Sequence, residues 1–132
     1  MRRPPSRAPG ERTEAGRRAE ALAAEYLEGK GMEILARNHR ARRGEVDLVC
    51  RDGAVLCFVE VRSREVGAPM TPEESIDRRK ALRVVAAATD WAARHGGLDR
   101  PIRFDVVAIE LGRGAPVVRH HRNAFDADGG AQ

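Results

Sequence analysis

The sequence predicts an α/β domain, a central mixed β-sheet flanked by helices in the order α-β-β-β-α-β-β. Three observations predict it. Residues 13–30 and 71–95 carry apolar side chains at helical spacing, and the stretches between and after them are rich in β-branched residues. The dipeptide Asp52-Gly53 separates two alternating runs, as a tight hairpin turn does. A long helix lying between strands needs a crossover connection, so the sheet must mix parallel and antiparallel neighbours.

Each element follows from local pattern. Residues 1–12 are rich in Pro, Arg and Gly and predict a disordered basic tail; residues 13–126 form one domain, and residues 127–132 a frayed end. In the first helix Ala15, Ala19, Leu22, Ala23, Tyr26 and Leu27 share a stripe, and Gly29 and Gly31 end it. Glu20 lies at the margin of that stripe, placed to look along whatever the helix packs against. Residues 32–40 read as the first strand, followed by a basic turn containing Arg40, Arg42 and Arg43. Such a run is commonly a solvated loop, but here it leads directly into acidic residues, where it could meet phosphate.

The second and third strands form the hairpin around Asp52-Gly53. With those two residues as the loop, Asp47 faces Phe58, Glu45 faces Glu60, and Asp47 lies diagonally from Glu60, about 7–8 Å away at the backbone. Thr71, Pro72 and Glu74 supply an N-cap, a first-turn proline and a capping box, predicting that the second helix starts there and runs to His95. Its early turns hold Arg79 and Lys80, candidates to flank a nucleic-acid groove. Residues 101–110 are a mostly apolar strand buried on both faces, with Asp105 as an isolated acid, and residues 117–120 make the last strand.

Composition narrows the function. A formal charge of +4 arises within residues 1–18; from residue 19 onward 18 basic residues balance 18 acidic ones, so a polyanion partner must be read from charge distribution. No apolar run reaches the roughly 18 residues of a membrane span, which argues against a membrane partner. Cys50 and Cys57 fall on a buried strand face, as free thiols do in a cytoplasmic protein. Aromatic content of 4% disfavours stacking on single strands and favours backbone and shape recognition.

The acidic hairpin face carries the chemistry. Glu45, Asp47 and Glu60 repel one another unless a cation sits among them, and oxygen ligands suit Mg²⁺ or Mn²⁺ rather than zinc. Such an ion could act on a phosphodiester, with Arg62, on the same face as Glu60, stabilising the same charge. The bland alternative pairs each acid with a surface arginine. Lone His39 and His95 and the adjacent His120 and His121, which point to opposite faces, give no metal set of their own.

Four segments then stand out together: residues 44–49 (Gly-Glu-Val-Asp-Leu-Val), residues 58–62 (Phe-Val-Glu-Val-Arg), residues 103–108, and Asn123-Ala124-Phe125. In combination they resemble the uncharacterised bacterial YraN-like family, which is similar to archaeal Holliday-junction resolvases and to PD-(D/E)XK nucleases with a restriction-endonuclease-like fold. The resemblance implies Asp47 and Glu60 as catalytic metal-binding acids, Glu20 as a third metal ligand, and Arg62 at the motif's lysine position. Arginine there departs from the pattern, because a guanidinium cannot deprotonate water. The expectation is a Mg²⁺- or Mn²⁺-dependent nuclease acting on DNA, including branched or damaged DNA, and compatible with a homodimer. A non-catalytic nucleic-acid-binding module on the same fold is the alternative.

Overall fold

The computed structural model describes residues 13–132, and the basic tail expected over residues 1–12 lies outside them. The elements are α1 (Glu14–Gly29), β1 (Glu33–Ala41), β2 (Gly44–Asp52), β3 (Val55–Glu65), α2 (Arg78–Arg94), β4 (Ile102–Leu111) and β5 (Val117–Phe125). Their order is the expected one, with a short 3-10 turn (Glu73–Ser75) added before α2. The five strands form one sheet in sequence order. β3 and β4 are parallel, joined through α2, and the other three pairs are antiparallel. This mixed sheet with two helices is consistent with a nuclease-like fold.

The helices cover opposite faces. Val49, Leu56, Phe58, Phe104 and Val106 pack with Val84, Ala88 and Trp91 of α2. Leu48, Cys50, Cys57, Val59, Val107 and Ile109 pack with Ala19, Ala23 and Leu27 of α1. Both faces of β2 and β3 are therefore core near the hairpin tip, and the acidic face is not an open surface along its whole length. Phe58 anchors the α2 side through an edge contact with Trp91, ring centroids 6.0 Å apart.

Three expectations change. The hairpin register pairs Asp52 with Val55 and Cys50 with Cys57, so the loop is Gly53-Ala54, with Gly53 at φ 60°. Asp52 stays in the strand because Arg103 and Arg122 both donate to its carboxylate, at 3.0 and 3.1 Å. The slip is two residues, so each side chain keeps its face, but Asp47 moves from diagonal to directly opposite Glu60.

The capping box also forms, yet closes only the 3-10 turn: Glu74 N–H donates to Thr71 Oγ1 and Thr71 N–H to Glu74 Oε1. Ile76 is then extended, and α2 begins after a second cap, Asp77, whose carboxylate accepts the Lys80 N–H at 2.9 Å. Two N-cap signals lay six residues apart, and the second starts the helix.

β5 runs on to Phe125, which stacks on Phe104 with centroids 5.3 Å apart. The end expected to fray instead turns back. Asp126 accepts the Asp128 and Gly130 N–H groups, and Gln132 N–H bonds the Ala124 carbonyl at 3.1 Å. Among the described residues no helix is long and apolar enough to cross a membrane.

Candidate functional site

Asp47 sits where β2 and β3 part. Leu48↔Val59 is the last regular pair of their ladder. One step further Asp47 lies opposite Glu60, and its carboxylate accepts the Val61 N–H at 2.8 Å. A side chain there does the work of a ladder carbonyl, which lets the strands diverge without stranding a donor. The alternation of β2 breaks at the same point: Val46 and Val49 both pack with α2, whereas Leu48 packs with α1. On β1 the residue opposite is Asn38, between the Arg37↔Leu48 and His39↔Val46 pairs, and it adopts a left-handed φ of 53°. Asparagine tolerates that conformation better than most residues.

Glu60 is the electrostatic centre. Burial pushes its carboxyl well above the ordinary glutamate range, and the charge and hydrogen bond of Asp47 push it further, with Glu45 adding to the effect. Arg62 pulls the other way from 3.0 Å and does not prevail. The Arg62 Nε is buried and has no hydrogen-bond partner. A buried acid held against its preference to ionise, beside an unsatisfied guanidinium donor, suits both a cation between the acids and an anionic oxygen at the arginine.

Other expected residues are placed around this pair. Glu20 is buried on α1 and accepts a hydrogen bond from Asn38 Nδ2 at 2.9 Å, and Asn38 is the β1 residue opposite Asp47. Among the described residues no group of three or more His, Cys, Asp or Glu is disposed to hold a metal ion. The contact on which this site is built is that of Asp47 with Glu60. Glu45 is half-exposed with Arg40 at 3.9 Å.

Arg42 and Arg43 are exposed at the β1–β2 turn. That turn is pressed against α2, because a Cβ on Gly44 would lie 1.8 Å from the Arg83 carbonyl oxygen. The contact joins the turn that carries Arg42 and Arg43 to α2 at exposed Arg83, with exposed Arg79 one helical turn before it, and Arg43 is two residues from Glu45. Lys80 does not join the acids: its ammonium donates to the Ser75 carbonyl at 2.8 Å and closes the 3-10 turn.

Asp105 is a structural acid. It is fully buried and accepts from Arg103 Nε at 2.8 Å, Arg103 Nη2 at 2.9 Å, His120 Nε2 at 2.8 Å and the Asn123 N–H at 3.0 Å. Burial alone would raise its pKa, but the bonds from His120, Arg103 and Asn123 outweigh that and bring it to about 2. Four donors leave no lone pair for an ion. His121, on the opposite face from His120, bonds Glu73 instead.

Sequence pattern gave no sign of Asn38. Its one mark is that it faces Asp47 across the β1–β2 pairing, and that is visible only once the register is known.

A family model described as "Uncharacterised protein family UPF0102" matches residues 19–109. A UPF0102 protein of Anaeromyxobacter dehalogenans (strain 2CP-C) is 64% identical over 114 residues, covering 86% of this chain and 85% of that protein. A UPF0102 protein of Geobacter sulfurreducens is 45% identical over 112 residues, 84% and 88% of the two chains. One from Rhodococcus opacus (strain B4) is 43% identical over 111 residues, 83% and 94%.

Proposed function

The chain belongs to the uncharacterised protein family UPF0102, and we propose that it is a divalent-metal-dependent nuclease that hydrolyses phosphodiester bonds in DNA. The observation that carries this reading is the buried contact of Asp47 with Glu60, two acids held together at the opening of a β-ribbon. Mg²⁺ commonly takes one or two protein carboxylates and completes its shell with water and substrate phosphate, so a pair suffices. Asp47 and Glu60 are the residues that would hold the ion. When bound it would supply positive charge against the phosphodiester and lower the pKa of a nearby water.

The chain's own side chains divide the remaining work. Asp47 keeps one oxygen on the Val61 N–H, which fixes its carboxylate orientation. Arg62 offers its unsatisfied Nε to a phosphoryl oxygen while its terminal nitrogen stays on Glu60. It stabilises charge and takes no proton, so the attacking water must lose its proton elsewhere. Arg42, Arg43, Arg79 and Arg83 line the rim where the backbone of a duplex would run. Hydrolysis itself adds water at phosphorus and breaks one P–O bond, leaving a phosphomonoester and a hydroxyl.

A second reading, a binding module that holds nucleic acid without cutting it, draws support from the Glu60–Arg62 ion pair, which already supplies Glu60 with a cationic partner. One assay separates them. Flap, junction, duplex and single-stranded DNA are incubated with the protein in Mn²⁺ and in EDTA, alongside Asp47→Ala. Metal-dependent cleavage lost in the variant supports the nuclease; binding without cleavage supports the module.

A further inference from the structure

We propose that the cavity between the start of α2, β5 and the returning C-terminal segment receives a single nucleobase unstacked from DNA, next to the acid pair. It rests on the nuclease reading only in taking DNA as what lies across the acids. The cavity measures about 830 Å³, within the range of small-molecule sites and large enough for a base with its sugar. Ile76, Ala81, Val106 and Phe125 give it apolar walls, and Phe125 is stiffened by its stack on Phe104.

Its position ties it to the acids. Glu60 pairs with Val106 across the parallel ladder, and Val106 with His121 across the next. Val106 and His121 both line the cavity, so its wall begins one strand, roughly 5 Å, from Glu60. A nucleotide whose phosphate lay against Arg62 would have its base within reach of this opening.

The recognition elements are built in. Asn123, Ala124 and Phe125 all line the cavity, and they are one of the segments that the sequence singles out without assigning it chemistry. Asn123 has φ 53° and lies beside an irregularity in the β4–β5 ladder between Phe104 and Val106. The buried carboxylate of Asp105 holds that conformation through the Asn123 N–H. Buried Asp105, with Arg103 and His120 on it, thereby fixes the backbone of Asn123, an exposed residue that lines the cavity. A carboxamide presents a donor and an acceptor side by side, the pattern of a base edge.

Charge on the wall does not oppose a nucleotide. Glu73 is engaged by Arg119 at 2.6 and 3.0 Å and by His121 at 2.9 Å, and Asp77 is spent capping α2. Arg78, held on the Asp128 carbonyl, Arg122, held on Asp52, and Gln132 add to the polar lining. Extruding a base costs free energy, and least where the base is already unpaired, so the site selects bulged or mismatched positions over intact duplex.

The test uses DNA carrying one 2-aminopurine, either bulged or paired, with the full chain in EDTA so that nothing is cut. Fluorescence of the bulged probe, and its binding by anisotropy, are read for wild type, Ala124→Phe and Asn123→Gly. Ala124→Phe fills the cavity, and Asn123→Gly keeps the left-handed backbone while removing the carboxamide. Expected are a several-fold fluorescence change with wild type, its loss in Ala124→Phe, and a reduced preference for bulged over paired DNA in Asn123→Gly. Binding of paired DNA should change less than twofold, and melting curves confirm that both variants fold. A wild-type signal without cleavage in Mn²⁺ supports the base site while removing the nuclease reading. Cleavage in Mn²⁺ with no fluorescence change, and with Ala124→Phe cutting bulged DNA at the wild-type rate, overturns the base site and leaves the nuclease standing.

Discussion

Asp47 and Glu60 meet directly across the β2–β3 ribbon and share a hydrogen bond, while the second tie of Asp47 is the backbone N–H of Val61. One residue therefore serves the fold and the chemistry at once, and substitutions can separate the two. Asp47→Asn keeps an oxygen for Val61 and should fold nearly as well as wild type. Asp47→Ala strands a buried N–H and should lose about 1–3 kcal/mol in urea denaturation. Both should lower Mn²⁺-dependent cleavage by 100-fold or more; an active Asp47→Asn would remove the acid pair from the mechanism.

Glu60 carries a folded-state pKa raised above its unfolded value, chiefly by burial and then by Asp47. The sign follows: ionised Glu60 weakens the fold above its folded pKa, and stability from this group returns as pH falls through that value. In EDTA at neutral pH, Glu60→Gln should thus melt higher than wild type, by about 4 °C for each kcal/mol relieved. The same variant should show no Mn²⁺ binding by calorimetry. A lower melting temperature would mean that Glu60 is held by a favourable charge partner.

Arg62 is the positive group that most lowers the Glu60 pKa. Arg62→Ala should move the pH midpoint of Mn²⁺ binding upward, since protons then compete better for Glu60. Arg62→Lys should hold that midpoint near the wild-type value. If both variants bind Mn²⁺ with an unchanged midpoint, the ion pair has no bearing on the acids.

Asp105 supports the sheet away from the acids. Asp105→Asn leaves Arg103 short of its buried partner and should cost about 3–5 kcal/mol. Its folded pKa of about 2 lies below the unfolded value, so its contribution is present above pH 4 and lost as pH falls toward 2. Acid titration of wild type beside the variant should show that loss in wild type only.

Much of this architecture is legible in the chain. The helical stripe of α1, the β-rich runs and the long helix between strands give element order and sheet type, because apolar periodicity is a local property. Asp47, Glu60 and Arg62 were legible for the same reason, since residues two apart on a strand share a face. Hairpin register was not. Asp52-Gly53 is a good turn, and what moves the turn one residue on is the grip of Arg103 and Arg122 on Asp52, from residues about 50 and 70 positions away. Glu20 stands at the margin of the apolar stripe of α1, but its partner Asn38 depends on a left-handed residue in an edge strand. The tie of Lys80 to the Ser75 carbonyl is not legible because the start of α2, six residues later than the Thr71 box suggests, cannot be read without the second cap at Asp77.

The Cys50↔Cys57 pairing gives the hairpin its own clock. Both thiols are free and wholly enclosed, and burial pushes each up to about 12, so in the native state neither offers a thiolate to a reagent. Alkylation can proceed only when β2 and β3 separate from α1. The rate at which iodoacetamide marks these two sulfurs is then a measure of how often the ribbon opens, obtained without a probe attached to the molecule.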